Sequence, residues 1–170
     1  MKGKKIFLLF CLTTGLFAAA TLGAEEFFTA NDLDPAQITA VKAYGTFVIF
    51  ARSDKGVTIE AMSAPRVAAD GEVFNNRIKL NGGGAADYRS IHFTVSAAAE
   101  VLIYTNSSSK TDARTLIIAK ASDGSVLAEL AAPPDDEKNA GIAAVVLPGA
   151  GEYFLYSKNS GINIYQIVVK

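Results

Sequence analysis

Tyr153-Phe154-Leu155-Tyr156-Ser157, then Lys158-Asn159-Ser160-Gly161, then Ile162-Asn163-Ile164-Tyr165-Gln166-Ile167-Val168-Val169-Lys170: these last eighteen residues decide the reading of the fold. Two runs rich in aromatic and β-branched residues flank a short polar segment that ends in glycine, the pattern of a β-hairpin. Strict alternation puts Phe154 and Tyr156 on one face of the first run, opposite Tyr153, Leu155 and Ser157. In the second run Ile162, Ile164, Gln166 and Val168 stand opposite Asn163, Tyr165, Ile167 and Val169. Both faces carry apolar groups, so the pair is expected to lie in the middle of a sheet, covered on both sides.

Working outward, the same signals recur along the chain. Residues 46–51 and 57–62 read as a first hairpin around Ser53-Asp54-Lys55-Gly56. Strands are expected at 77–80, 88–95, 101–105, 114–119, 125–130 and 142–147, with Asp123-Gly124 as the sharpest tight turn. Near the start of the mature chain, Phe27 and Phe28 suit an edge strand, and one helical turn is expected after Pro35. No long helical period occurs, and no repeat. About ten short strands in a chain of this size predict an all-β domain, a two-sheet antiparallel β-sandwich of jelly-roll type.

The first residues stand apart from this pattern. Lys2, Lys4 and Lys5 precede an apolar run at 6–20, followed by small residues at Ala18, Ala20, Gly23 and Ala24. That is the form of a secretory signal peptide, with residues 1–24 removed and a single domain at 25–170. The expected location is periplasmic or extracellular, with no membrane insertion after cleavage. Cys11 lies in the signal, so a mature chain of 146 residues has no thiol for disulfides, catalysis or zinc. Losing three lysines takes the formal charge from −1 to −4. With no run of Lys or Arg remaining, nucleic acid is a poor partner.

Antiparallel strands alternate direction, so the connections 81–87, 106–113, 131–141 and 158–161 should gather at one end of the sandwich, a common place for a binding site. Arg89 and Arg114 share the phase of apolar strand residues and emerge at that rim. There they either tether loops through carbonyl oxygens or present a donor fork to a sugar hydroxyl or carboxylate. Lys79 adds a cation. Tyr156 offers a stacking face, and Asn106, Asn159 and Asn163 offer contacts to hydroxyl edges. Catalysis finds few ingredients: His92 is the only histidine, read as an outer-face strand residue, and no nucleophile elbow occurs. Asp135-Asp136-Glu137, or Asp32 with Asp34, could hold structural calcium, although the calcium-loop pattern is missing and solvated loop charge is the simpler reading. No other cofactor is expected.

Several of these strings together resemble a known domain type. Arg77-x-Lys79-Leu80 before the glycines 82–84, Arg89-x-Ile91-x-Phe93-x-Val95, the serines before Arg114-x-Leu116, and Ser160-Gly161-Ile162-Asn163-Ile164-Tyr165 are similar to the β-sandwich ancillary domain of secreted bacterial pectate lyases and related polysaccharide-degrading proteins. The resemblance spans 77–169, and no lyase domain accompanies it in these 170 residues. It implies a non-catalytic, carbohydrate-binding-like module with a polysaccharide, pectin-type glycans included, as partner. The alternative is a structural or protein-interaction sandwich of the cell envelope in which the same arginines brace loops.

Overall fold

The structure is a computed structural model and describes residues 25–170. The signal peptide expected at 1–24 lies outside the described residues. Thirteen strands form two packed sheets. Sheet 1 holds β1 (Glu26–Thr29), β2 (Ala36–Ile38), β5 (Val57–Ala68), β6 (Val73–Leu80), β8 (Ala99–Ser107), β11 (Asn139–Leu147) and β13 (Ile162–Val169), in the order β1-β13-β6-β5-β11-β8 with β2 on β5. Sheet 2 holds β3 (Lys42–Tyr44), β4 (Phe47–Phe50), β7 (Ser90–Val95), β9 (Arg114–Lys120), β10 (Val126–Ala132) and β12 (Gly151–Ser157), in the order β10-β9-β12-β7-β4-β3. Pairing is antiparallel apart from a two-residue contact of β11 with β5. This is the expected β-sandwich.

Apolar alternation builds the core between the sheets. Ile91, Phe93, Leu116, Ile118, Tyr153 and Leu155 from sheet 2 meet Ile59, Ile78, Val101, Ile103, Ile162 and Ile164 from sheet 1, and all are nearly or fully buried. Each such side chain stabilises the fold by about 1.5–3 kcal/mol.

The closing pair of runs is not a hairpin. β12 lies between β7 and β9 in sheet 2, whereas β13 lies between β8 and β6 in sheet 1. Runs apolar on both faces suit the middle of a covered sheet, and crossing between sheets gives both of them a central place. The polar segment between them is the crossing, fastened by Lys158 N–H to Thr115 O at 2.9 Å and Ser108 N–H to Gly161 O at 3.0 Å. The same correction applies to 46–51 and 57–62, which form β4 of sheet 2 and β5 of sheet 1. The Asp123-Gly124 turn does join a true hairpin, β9 with β10. Phe27 and Phe28 do sit in an edge strand, β1. A 3-10 turn forms at Ala30–Asp32, and the residues after Pro35 enter β2 instead of a helix, because Ile38 is drawn to the core beside Val57.

Alternation in β13 breaks at a bulge between Ile164 and Gln166. Ile162 and Ile164 face the core, but beyond the bulge Ile167 and Val169 do so, not Gln166 and Val168. One inserted residue reverses the phase of everything after it.

A second bulge shapes the molecule more. β5 and β6 pair from Val57–Leu80 to Ala61–Asn76, then the register shifts and resumes at Arg66–Phe74. Past that point the hairpin packs over the outer face of sheet 1, while its Val67 and Ala68 pair with Asn139 and Ala140 of β11. Phe74 stacks on Tyr165 at 5.4 Å and packs against Tyr104 at 5.2 Å, with Ala68, Ala140 and Val168 completing a small outer core. Tyr104 O–H donates to Asp70 at the tip at 2.6 Å, and Asn31 holds the far side through Val73 O and the Asn75 and Asn76 amides.

Candidate functional site

The loops 51–56, 81–89, 108–113, 133–138 and 158–161 gather at one end of the sandwich, as strand direction requires. Where two of them meet the base of the folded-over β5–β6 arm, a cleft of about 350 Å³ opens, lined by Glu60, Ser63, Arg66, Arg77, Ser108, Lys110, Asp135 and Glu137. Its polar character follows from the arm. The bulge at 62–65 shifts β5 against β6, so Glu60 and Arg77 on one side of it stay part-exposed, while Arg66 on the other is covered by Asp135.

Asp135 is the hub. It is 5% exposed and receives Arg66 through both oxygens, Nε to Oδ1 at 2.6 Å and Nη2 to Oδ2 at 3.1 Å. Arg66, itself 4% exposed, donates its remaining Nη1 to Ala64 O at 2.8 Å. The hydrogen-bonded Asp135 carboxylate outweighs burial and pushes the Arg66 pKa further up, so the guanidinium stays charged. Such a bidentate pair is rigid as well as strong. Arg77 donates Nε to Glu60 Oε1 at 2.8 Å and has Nη2 2.6 Å from the same oxygen, while its Nη1 stands 3.8 Å from Asp135 Oδ2, beyond hydrogen bonding. Lys79 lies 3.7 Å from Glu60, and Lys110 pairs with Glu137 at 2.8 Å across the mouth. Three cations and three carboxylates therefore line the cleft, prefixed against each other, with Lys79 just outside.

Beneath Asp135 lies β13. Asn163 is fully buried and donates Nδ2 to Asp135 Oδ2 at 3.4 Å, but its Oδ1 has no partner, and neither has the Tyr165 hydroxyl. Burial pushes the Tyr165 pKa up, so this hydroxyl stays protonated.

The residues expected to bind divide into three groups. Lys79 and Asn163 adjoin the cleft, one at its edge and one under its floor. Arg114 and Asn106 brace loops: Arg114 Nη1 donates to Gly161 O and Ser108 Oγ, and Asn106 Nδ2 donates to Pro134 O at 3.0 Å. Asn106 is 2% exposed and Asn163 is fully buried, so neither reaches a rim ligand directly. Their outward faces are taken by the loop 133–138 that crosses above them. Arg89, Tyr156 and Asn159 lie outside the cleft lining: Tyr156 is on β12, Asn159 lies against Gly83, and the Arg89 guanidinium reaches Gly56 and Gly82. Arg89 is not in the strand phase expected: it precedes β7 with φ +47°, and its Nε donates to Gly56 O at 3.3 Å. Gly84 shows why the glycine run is there. A Cβ at Gly84 would come 2.4 Å from Arg89 O and 3.0 Å from Tyr156 Cβ, so only glycine lets the 81–89 loop lie on sheet 2.

His92 is an outer-face strand residue, stacked between Phe50 at 4.1 Å and Phe154 at 4.9 Å, with Nδ1 2.9 Å from Glu152 and Nε2 2.8 Å from Ala86 O. The acids considered for calcium have other work. Asp136 caps the amides of Lys138 and Asn139, Asp135 holds Arg66, and Asp32 and Asp34 are exposed on the surface. Among the described residues no three His, Cys, Asp or Glu side chains come together as a metal site. A larger cavity of about 530 Å³ sits at the opposite end, but it is walled mainly by Pro148, Gly149, Ala150, Gly151 and Ala121. Its one carboxylate, Glu152, is held by His92.

Arg66, Arg77, Glu60 and Lys110 are cleft residues that sequence reasoning did not place in a site. Glu60 faces Arg77 across β5–β6, but a count outward from Asp70-Gly71 misses the pair, because five steps of β5 from Ala61 to Arg66 match two of β6.

No protein-family model matches the chain, and no curated protein matches it. Among solved structures it is similar to CsCBM6-3 from Clostridium stercorarium, solved in complex with cellobiose, at 12% identity and TM-score 0.43, covering 85% of this chain and 92% of that one. A family 35 carbohydrate binding module from Clostridium thermocellum gives 15% identity and TM-score 0.44 over 81% of this chain and 98% of that one. The C-terminal CBM6 of LamC, from Zobellia galactanivorans, gives 16% and 0.37, over 81% and 99%.

Proposed function

We propose that this chain is a secreted, non-catalytic polysaccharide-binding module and that the glycan enters the cleft at the base of the β5–β6 arm. The observation that carries the reading is the cleft's set of prefixed donors and acceptors, Glu60, Arg77, Lys110 and Glu137 around the buried Arg66–Asp135 pair. Sugar hydroxyls each donate and accept, and a wall alternating between carboxylate and guanidinium meets both needs without reorganising. A volume of about 350 Å³ suits one or two sugar rings. Pectin-type glycans add carboxylates to their hydroxyls, and the Arg77 Nη1 with Lys79 supplies the cationic side for them. The carboxylates are engaged by cations, which favours holding a ligand over transferring its protons.

The test is binding of residues 25–170 to a polysaccharide panel that includes homogalacturonan. Arg77→Ala and Lys110→Ala are expected to weaken binding at least tenfold, consistent with loss of a charge-assisted hydrogen bond of about 1.5–3 kcal/mol. Asn159→Ala, at an exposed position outside the lining, should bind as the parent does. Binding to no glycan, or binding indifferent to Arg77 and Lys110 in folded variants, would overturn the reading and favour the envelope-scaffold alternative.

A further inference from the structure

β11 leaves one edge open. Its residues Gly141 to Leu147 pair with β8 on one side, while on the other side its contact with β5 ends at Ala140. From Ile142 to Leu147 that second edge has no backbone partner among the described residues. An unpaired edge exposes N–H and C=O groups that only another extended strand can satisfy in series.

Other sheet edges are protected in ways that β11 is not, and the edge strand β2 is only three residues long. β3 is three residues long and carries Lys42. β10 carries Glu129, held by Lys158 at 2.9 Å. β1 carries Glu26, bonded to Thr46. By contrast no charged residue occurs between Lys138 and Glu152. On the outward face Ile142 is 41% and Val146 is 73% exposed, with the exposed Ala144 between them.

We infer that β11 is a self-association edge, and that its occupant is the β11 strand of a second copy of this chain. An antiparallel two-fold centred on Ala144 sets Ile142 beside Val146 of the other copy and Ala144 beside Ala144, so apolar side chains of matched size meet on one face. The neutrality of this stretch lets two identical surfaces approach without like charges opposing, which a charged partner strand would not exploit. Pairing joins the two copies of sheet 1 into one continuous sheet. The strand is short against the roughly 1,200–2,000 Å² of a stable interface, so the dimer is weak and concentration-dependent.

Residues 25–170 contain the whole described sandwich and are the material for the test. Sedimentation equilibrium from about 10 μM to about 1 mM should show the mass rising toward twice the monomer value. Amide exchange of residues 142–147 should slow at the higher concentration. The double variant Ile142→Lys/Val146→Lys alters exposed positions only and should stay monomeric and folded, whereas Val126→Lys, an equally exposed site on β10, should dimerise like the parent. A monomer at every concentration overturns the inference. So does association that leaves 142–147 unprotected or survives the double variant, and so does an edge protected only when a different protein is added.

Discussion

Asp135 is buried yet ties together β5, β13 and the loop before β11, accepting from Arg66, Asn163 and the Glu137 amide. Asp135→Asn keeps the shape but strands the Arg66 charge in a low-dielectric site. The expected loss is about 3–5 kcal/mol in urea unfolding, the range for a broken buried ion pair. Tyr165→Phe should do the opposite of what a buried tyrosine usually suggests. Its hydroxyl is buried without a partner, so removing it should leave stability unchanged or raise it by up to about 1 kcal/mol. A loss of about 2 kcal/mol would mean that the hydroxyl is satisfied, by the Asn163 side chain or by bound water. Neither residue's role could be read from sequence, since Asp135 in a run of acids looks like solvated loop charge. Arg114 was legible as a rim residue with two readings, and its Nη1 bonds to Gly161 O and Ser108 make the contacts of the bracing one.

The β5–β6 arm is held at its tip by the Tyr104–Asp70 bond and at its base by Arg66–Asp135. The Tyr104 hydroxyl holds the Asp70 carboxyl below its ordinary pKa, and the Asn139 and Lys138 amides do the same for Asp136 in the neighbouring loop. A carboxylate with a lowered folded-state pKa contributes its stability above the unfolded value and loses it as pH falls through the folded one. Stability should therefore be flat from neutral pH to about 4 and decline below it. Asp70→Asn should flatten the start of that decline, and fluorescence of the buried tyrosines should report the arm loosening first. A decline beginning well above pH 5 would refute the assignment to these acids. At this scale the sequence signals were clear for isolated strands and the β9–β10 turn. They failed at the bulges in β13 and in the β5–β6 pair, because an extra residue has no mark of its own in an alternating pattern.

At the scale of the whole molecule, edge and cleft together make a prediction that neither makes alone. A dimer through β11 carries two clefts, so a long glycan can engage both, and effective concentration then raises apparent affinity. Ile142→Lys/Val146→Lys should weaken binding to a polymer at least tenfold while leaving a short oligosaccharide unaffected, as read by isothermal titration with each. Equal losses for both ligands would separate the edge from binding. What the sequence by itself determined is the class of the fold, the order and direction of the strands from β7 onward, and the end at which the loops collect. Turn residues and two-residue alternation are local properties, and antiparallel chain direction follows from counting turns. Only the tertiary structure decided which strands pair, where the arm lies and which charges meet in the cleft. Those outcomes depend on contacts between residues as far apart as Arg66 and Asp135, chosen by packing both faces of each sheet at once.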